Sequence, residues 1–264
     1  MSVDAPKLAV RDLRIAFGER GVVVLEHLDL RKAEILGLAG ESGSGKSITA
    51  LAVLGLASML GARVEGSARL DGEELVGASE LRLREVRGSR IAMIFQSPVP
   101  SLDPLLRVGT LFQRTLRLHG ASKDEARQQA AAALRDMVLS PDLLERHPHE
   151  LSGGQAQRVA IALALALRSD VLIADEPTSA LDVTVQAEIL EHLRRLREQR
   201  GMSILFISHD LAVIAELCDR VAVMQLGRVV EEGPTASVLQ EPRHDYTKRL
   251  VAAVPKIGAG ASAT

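Results

Sequence analysis

Alternating apolar and polar residues open the chain, and near-continuous apolar runs follow them. "KLAVRDLRIAF" (7–17) and "GVVVLEHLDLR" (21–31) change polarity at about every second position, which is typical of antiparallel strands with one face in solvent. "EILGLAG" (34–40) and "DVLIADE" (170–176) are apolar almost throughout, as expected of strands buried on both faces. The pattern therefore predicts two kinds of sheet.

Helical periodicity separates the later strands. "GKSITALAVLGLAS" (45–58) predicts a helix directly after a buried strand, and a long helical stretch follows the short strand "RIAMIFQ" (90–96). Strands and helices then alternate, which indicates a mostly parallel sheet. The predicted fold class is α/β: a P-loop NTPase-type cassette with a mostly parallel core sheet, an antiparallel β subdomain and a helical insertion at about 97–168. Residues 1–254 are predicted to form one domain, and 255–264 a flexible tail.

Two kinds of local signal predict where elements turn or begin. Asp71-Gly72 and Leu226-Gly227 are predicted hairpin turns. Ser122 with Glu125 three residues later is a capping box, which predicts a helix starting after Ser122.

Composition narrows the class of protein. The 264 residues carry a formal net charge of -2, which shows no basic excess of the kind that binds nucleic acid. A single cysteine, Cys218, excludes an internal disulfide framework, and we expect it to pack as a small apolar side chain. Uncharged runs stay below the ~20 residues of a membrane span, and the first residues lack a signal-peptide pattern. We therefore expect a cytosolic protein that does not cross a membrane.

The segment "GESGSGKS" matches the phosphate-binding pattern G-x-x-x-x-G-K-[ST]. Its glycines let the backbone wrap round a phosphate chain at a helix N-terminus, while the lysine contacts the β- and γ-phosphates and the last serine ligates Mg²⁺. The alternative, a glycine-rich turn with a chance lysine, is disfavoured because the motif lies between a buried strand and a helix. The predicted nucleotide-binding residues are Gly40, Glu41, Ser42, Gly43, Ser44, Gly45, Lys46 and Ser47.

The strand "VLIADE" delivers two carboxylates at its C-terminal end, where open α/β sheets bind ligands. Asp175 is predicted to hold Mg²⁺, and Glu176 to accept a proton from the attacking water as general base. Adjacent acids at a strand end are also common as solvated or helix-capping groups, so this motif alone leaves both interpretations open.

"LSGGQAQR" (151–158), between the phosphate loop and the acidic strand, resembles the signature of ATP-binding-cassette (ABC) ATPases. Other motifs of that family follow in order: Gln96 resembles the Q-loop glutamine, "SALD" (179–182) the D-loop and His209 the switch histidine. Phe17 lies at the family's usual distance before the phosphate loop for the aromatic residue that stacks on adenine. The resemblance covers nearly the whole chain.

The resemblance implies a head-to-tail dimer in which each signature loop caps the ATP bound by the partner. Glu176 and His209 would activate water, and Gln96 would sense Mg²⁺ and the γ-phosphate. The local chemistry agrees, since Ser152 is a good N-cap and adjacent glycines allow close approach of an anion. A purely structural helix cap would use the same residues. The residues implied in the shared site are Ser152, Gly153, Gly154, Gln155 and Asp182.

Three further segments narrow the resemblance. "IFQSPVPSLDPLLRVG", "ADEPTSALDVTVQAEIL" and "EPRHDYTKRLVAAVP" are similar to the ATPases of oligopeptide, dipeptide and nickel importers. This subfamily implies ATP and Mg²⁺ as cofactors and a second cassette, identical or paralogous, as partner. It also implies two membrane permeases, an extracytoplasmic substrate-binding protein and a peripheral position on the cytoplasmic face of the cell membrane. The short C-terminal segment without a cysteine-rich extension is more like the nickel importers.

Two alternatives stay open at this point. A soluble ABC ATPase acting on nucleic acid or ribosomes would share the motifs, although such proteins usually carry two cassettes, coiled-coil insertions or zinc modules. A P-loop phosphotransferase could use Glu176 as base towards a substrate hydroxyl, but it would leave the signature and Gln96 unexplained.

Overall fold

The computed structural model describes residues 5–97, 99–179 and 181–253. The predicted tail, 255–264, lies outside these residues. Two sheets, nine α-helices and four short 3-10 helices make up the described residues. The strands are β1 (Leu8–Phe17), β2 (Arg20–Leu30), β3 (Ile35–Ala39), β4 (Arg63–Leu70), β5 (Glu73–Glu74), β6 (Ile91–Ile94), β7 (Val171–Asp175), β8 (Ser203–Ser208), β9 (Arg220–Gln225) and β10 (Arg228–Pro234). The helices are α1 (Lys46–Val53), α2 (Glu80–Val86), α3 (Val108–Leu118), α4 (Lys123–Asp136), α5 (Gly153–Ala166), α6 (Val183–Arg200), α7 (Leu211–Leu217), α8 (Thr235–Gln240) and α9 (Asp245–Ala253).

The core sheet has six strands in the order β10-β9-β3-β8-β7-β6. All neighbouring pairs from β9 to β6 are parallel, and β10 returns antiparallel to β9. Every residue of β3, β7 and β8 is buried, as their continuous apolar sequences predict. Because these strands are parallel, the loops that follow β3, β6, β7 and β8 emerge at one edge of the sheet.

The antiparallel sheet has the order β2-β1-β4-β5. One face of this sheet is buried, for example at Val10, Leu13 and Ile15 of β1, and the other face is exposed to solvent. This is the arrangement that the alternating sequence predicts. The buried face packs with α1 and with one face of the core sheet, while residues of α3–α7 form a second apolar cluster with the opposite face. The predicted combination of a mostly parallel core sheet and an antiparallel sheet is confirmed.

The local signals are also confirmed. Asp71 (φ 50°) and Gly72 (φ 83°) both adopt positive φ between β4 and β5, as a tight hairpin turn requires, and Leu226 (φ 47°) and Gly227 (φ 79°) do so between β9 and β10. The Ser122–Glu125 capping box is present at the start of α4. Cys218 is buried, and burial raises the pKa of its thiol, which suits its predicted packing role.

The helix after the phosphate loop is shorter than the sequence pattern predicted. The pattern extends to Ser58, but α1 ends at Val53 and a short 3-10 turn follows at Ala57–Leu60. Gly55 adopts φ +68°, where a Cβ atom would lie 2.5 Å from Leu83 Cδ1. The chain therefore leaves the helical conformation where α2 approaches.

Candidate nucleotide-binding site

The loop between β3 and α1 carries the predicted phosphate-binding residues. The ammonium group of Lys46 binds to the backbone of this loop. Lys46 Nζ donates to the carbonyl oxygens of Gly40 at 2.7 Å and Glu41 at 2.9 Å, and its distance to Ser44 Oγ is 3.4 Å. The N-cap position, Gly45, has φ +104° and makes no side-chain capping bond. The first N–H groups of α1 therefore face the loop without a capping side chain, as an anion site requires.

At two positions of the loop, only glycine fits the backbone conformation and the neighbouring atoms. Gly40 has φ +150°, and a Cβ there would lie 2.2 Å from the carbonyl oxygen of Met224 in β9. At Gly45 a Cβ would lie 2.9 Å from Val23 Cγ2 in β2. The loop is thus enclosed between the antiparallel sheet and the β9–β10 hairpin, with no space for side chains at these positions.

Distant segments also hold the loop by hydrogen bonds. The N–H of Gly227, in the β9–β10 turn, donates to the Ser44 carbonyl at 2.9 Å. The N–H of Glu41 donates to the hydroxyl of Tyr246, in α9, at 3.0 Å. Sequence reasoning missed both contacts, because no local pattern relates the phosphate loop to residues about 200 positions later.

Lys46, Asp175 and Glu176 are close enough to interact electrostatically. Lys46 is only 5% exposed, and this burial lowers the pKa of its ammonium group. The carboxylates of Glu176 and Asp175 partly oppose the shift. Burial raises the pKa of Asp175, and the Ser47 hydroxyl beside it partly offsets the rise. The site therefore combines one buried ammonium with two carboxylates at the carboxyl edge of the sheet.

Asp175 and Ser47 fit a magnesium ion. Asp175 Oδ1 is fully buried and has no hydrogen-bond partner among the described residues. An ionised oxygen in this state is costly unless a cation or a donor compensates for it. Mg²⁺ prefers carboxylate and hydroxyl oxygens of this kind, so the donor set suits it.

Glu176 is held on both sides. Its Oε1 lies 2.8 Å from His209 Nδ1, and its Oε2 accepts from Gln96 Nε2 at 3.2 Å. The three residues follow the adjacent parallel strands β7, β8 and β6. The backbone of Glu176 has φ +46°, unusual for a residue with a side chain, and its N–H donates to the Ile207 carbonyl at 2.9 Å. Such strained residues are concentrated at functional sites.

The signature segment begins α5 with a reciprocal cap. Ser152 Oγ accepts from the N–H of Gln155 at 3.3 Å, and Gln155 Oε1 accepts from the N–H of Ser152 at 3.0 Å. Gly153 has open space where a Cβ would stand, and at Gly154 the nearest atom is 3.7 Å away. Among the described residues, no hydrogen bond or ion pair joins 152–155 to the phosphate loop, 40–47. The exposed, glycine-lined helix start is therefore free to meet a group from outside the chain.

The profile of the ABC transporter family matches residues 26–179, which is more than half of the chain. The chain belongs to the ABC transporter family. It is an ABC ATPase, and as such binds adenine nucleotides. The profile of the oligopeptide/dipeptide transporter C-terminal region matches residues 230–264, which confirms the predicted subfamily.

Relatives of this ABC ATPase agree with both matches. It is 45% identical over 260 residues to a putative peptide import ATP-binding protein of Brucella abortus (strain 2308), covering 96% of this chain and 78% of that protein. It is also 45% identical to a glutathione import ATP-binding protein of Escherichia coli O157:H7, covering 96% of this chain and 42% of that protein. A solved dimeric ATP-binding cassette in a post-hydrolysis state, bound to ADP and phosphate, superposes with a TM-score of 0.77. It is 29% identical and covers 86% of this chain and 98% of that one.

The remaining predicted residues of the ABC site lie at its periphery. Phe17 ends β1, is 37% exposed, and belongs to the hairpin whose Val23 borders Gly45. Ser179 Oγ donates to the Glu176 carbonyl at 3.2 Å, so the D-loop departs directly from the acidic pair. Asp182 Oδ1 accepts from the N–H of Val185 at 3.0 Å and caps α6. Ala180, between them, lies outside the described residues.

The helices were also compared with the length and hydropathy of membrane-spanning segments. Within the described ranges, none combines the length and hydropathy needed to span a bilayer.

Proposed function

We propose that this ABC ATPase is the nucleotide-binding subunit of a multi-subunit importer and hydrolyses ATP at a site shared with a second cassette. The observation that carries the proposal is the Glu176 carboxylate, held between Gln96 and His209 beside the buried Lys46. We further propose that residues 1–254 form one domain with a helical subdomain at about 97–168.

Phosphate binding would use donors that the loop already orients. Lys46 Nζ donates to the carbonyl groups of Gly40 and Glu41 in its own loop. Phosphate oxygens of ATP are stronger, charged acceptors and would replace the Glu41 carbonyl, while the bond to Gly40 keeps the ammonium in place. The N–H groups at the start of α1 would add the anion-binding contribution of a helix N-terminus. Phe17 would stack on the adenine from the antiparallel sheet.

Ser47, Asp175 and Gln96 would hold Mg²⁺. The ion would neutralise charge on the β- and γ-phosphates. On the protein side, Asp175 must be ionised to act as a ligand, although its burial favours the protonated form.

Proton transfer is the role we assign to Glu176. A carboxylate at this position can accept a proton from water as general base, worth about 10²–10⁴-fold in rate. Its two oxygens are oriented by His209 and Gln96, so the three side chains fix where the water would stand. His209 would also hold the γ-phosphate, and Gln96 would relay the state of the site to the helical subdomain.

The second half of the site would come from another cassette. The start of α5 is exposed at Ser152 and Gly153. Among the described residues, it makes no hydrogen bond to the phosphate loop of its own chain, and the segment comprises Ser152, Gly153, Gly154 and Gln155. Such a helix start suits the γ-phosphate held by the partner, with Asp182 at the same interface. The solved relative with ADP and phosphate is a dimer, which supports this arrangement. We propose that the partner is an identical chain or a paralogue.

A groove beside β6 is the proposed contact with the permeases. It encloses about 270 Å³ between β6, α3 and α5 and is mainly apolar, with Phe95 partly exposed at its edge. Val99 and Leu105, from the proline-rich segment after Gln96, are also exposed. Lining residues include Met93, Phe95, Thr115, Ala160, Leu163 and Leu167. Through two permease subunits the chain would lie on the cytoplasmic face of the cell membrane.

The cargo is proposed to be a peptide or a nickel or other metal chelate, delivered by an extracytoplasmic binding protein. The names of the peptide and glutathione import relatives favour the peptide class. The cargo is tested by co-expressing the chain with candidate permeases and reconstituting the complex in vesicles. Binding protein loaded with peptide or with Ni²⁺ is then added. We expect peptide-stimulated ATP hydrolysis that Lys46→Ala abolishes. Failure to associate with any permease, or stimulation by nucleic acid instead, would overturn the proposal.

A further inference from the structure

The hydroxyl of Tyr246 makes a hydrogen bond to a distant part of the chain. It accepts the N–H of Glu41 at 3.0 Å, although the two residues are 205 positions apart. Tyr246 is only 3% exposed, so its ring is packed in the core and its hydroxyl is shielded from solvent. The sequence motifs of the nucleotide site give no role to this residue.

The contact falls on the peptide group that also binds Lys46. The Glu41 N–H and the Gly40 carbonyl belong to one planar unit, and the Gly40 oxygen accepts from Lys46 Nζ at 2.7 Å. Tyr246 and Lys46 therefore hold opposite ends of the same peptide group. Hydrogen bonds arranged in such a chain polarise one another, which strengthens each of them.

Hydrogen bonds to β10 fix the start of α9, and they therefore fix the position of Tyr246. The Glu231 carboxylate, on β10, accepts the N–H groups of Arg243 at 2.8 Å and His244 at 3.0 Å. His244 Nδ1 then accepts the N–H of Tyr246 at 3.2 Å. These bonds connect the β10 strand to α9 and, through Tyr246, to the phosphate loop.

We infer that Tyr246 is a positioning residue for ATP binding, which sets the orientation of the Gly40–Glu41 peptide and thereby of Lys46. Gly40 gives that peptide unusual freedom, since its φ of +150° is accessible mainly to glycine. The inference rests on the proposed phosphate-binding role of residues 40–47. It gives the oligopeptide-type C-terminal region, matched at 230–264, a direct influence on the nucleotide site.

The variant Tyr246→Phe tests the inference because it removes the hydroxyl and keeps the ring. One lost hydrogen bond predicts about a five-fold rise in the Kd and KM for ATP, with kcat changed less than about two-fold. The matched control is Lys248→Ala, at an exposed position of the same helix, which should leave both constants unchanged. The melting temperature of Tyr246→Phe should fall by only about 2–4 °C, as one lost hydrogen bond predicts, so both variants stay folded at the assay temperature.

A second readout needs no variant. The chain contains one tyrosine and no tryptophan, so its intrinsic emission comes from Tyr246 alone. Titration with ATP should change that emission at the same concentrations at which ATP binds, after correction against free N-acetyltyrosinamide for nucleotide absorption. Lys46→Ala should lose both the binding and the change.

The outcomes separate this inference from the proposed function. Wild-type ATP affinity in Tyr246→Phe, or a constant emission while nucleotide binds, would overturn the role of Tyr246 and leave the site intact. Unaltered ATP affinity in Lys46→Ala would instead refute the phosphate-loop assignment itself.

Discussion

His209 Nδ1 lies 2.8 Å from Glu176 Oε1, although 33 positions separate the two residues. They meet because β7 and β8 are adjacent parallel strands whose carboxyl ends share one edge. Gln96, after β6 on the other side of β7, reaches the second carboxylate oxygen. One glutamate is thereby oriented from two directions, as the proposed general base would need to be.

Glu176→Gln should abolish steady-state ATP hydrolysis while ATP binding persists. The amide keeps the size of the side chain but is a far weaker base, so we expect a loss of about 10²–10⁴-fold in kcat. Phosphate release measures the rate, and equilibrium dialysis with ATP measures binding. The variant should also accumulate an ATP-bound dimer. Hydrolysis at the wild-type rate would remove Glu176 from the role of base.

Ser152→Arg should block hydrolysis without weakening ATP binding by the same chain. The large cation replaces the N-cap hydroxyl and occupies the space at the start of α5, where the partner's phosphate would enter. Nucleotide affinity of the isolated chain and kcat of the assembled protein are measured side by side. Loss of ATP affinity would show that residues 152–155 act on the nucleotide of their own chain.

Asp175→Asn should increase the free energy of unfolding at neutral pH and remove Mg²⁺-dependent hydrolysis. Burial raises the folded pKa of Asp175 above its ordinary 3.8, so ionisation at neutral pH opposes folding. This penalty is complete above the folded pKa, declines as pH falls through it, and is absent below 3.8. The stability gain of the variant should shrink in the same direction.

Urea unfolding of wild type and variant at neutral and mildly acidic pH measures that gain. The control is Asp245→Asn, because the Lys248 ion pair lowers the pKa of that exposed carboxyl and ionisation there favours folding. It should give no gain at neutral pH. Equal effects of both variants would contradict the burial argument at Asp175.

Gly40→Ala should destabilise the fold more than Gly43→Ala. Both glycines have positive φ, but only at Gly40 would the new Cβ meet backbone, 2.2 Å from the Met224 carbonyl oxygen. We expect about 1 kcal/mol for the conformational cost alone and at least about 3 kcal/mol where the clash adds to it. Chemical denaturation compares the two. Equal losses would indicate that β9 does not restrict the loop.

The sequence indicated that Lys46, Glu176, Gln96 and His209 would lie near one another, because each of them follows a strand of the core sheet. Continuous apolar runs identified β3 and β7, and the parallel arrangement of β3, β7 and β8 places Lys46, Glu176 and His209 at one edge. The capping side chain of Ser152 was likewise readable from its neighbours. These features depend on local pattern and on one rule of sheet topology.

Other features depend on tertiary packing and escaped prediction. Helix α1 ends just before Gly55, whose positive φ breaks the helix, although the apolar periodicity continues past it. Helix α2 was missed although Ser79 caps it, because its seven residues are mostly polar. The contact of Tyr246 with Glu41 joins two segments far apart in the chain, so only the folded structure shows it.

The central claim is that two chains share each nucleotide, and the dependence of ATP hydrolysis on protein concentration tests it most directly. The specific ATPase activity is measured over a dilution series, for this chain alone and with a candidate second cassette. Light scattering gives the molecular mass of the protein at each concentration. We predict that activity falls as dimers dissociate into chains of 28.3 kDa, and that Glu176→Gln with ATP remains at twice that mass. Full activity per chain in a solution containing only 28.3 kDa monomers would contradict the account.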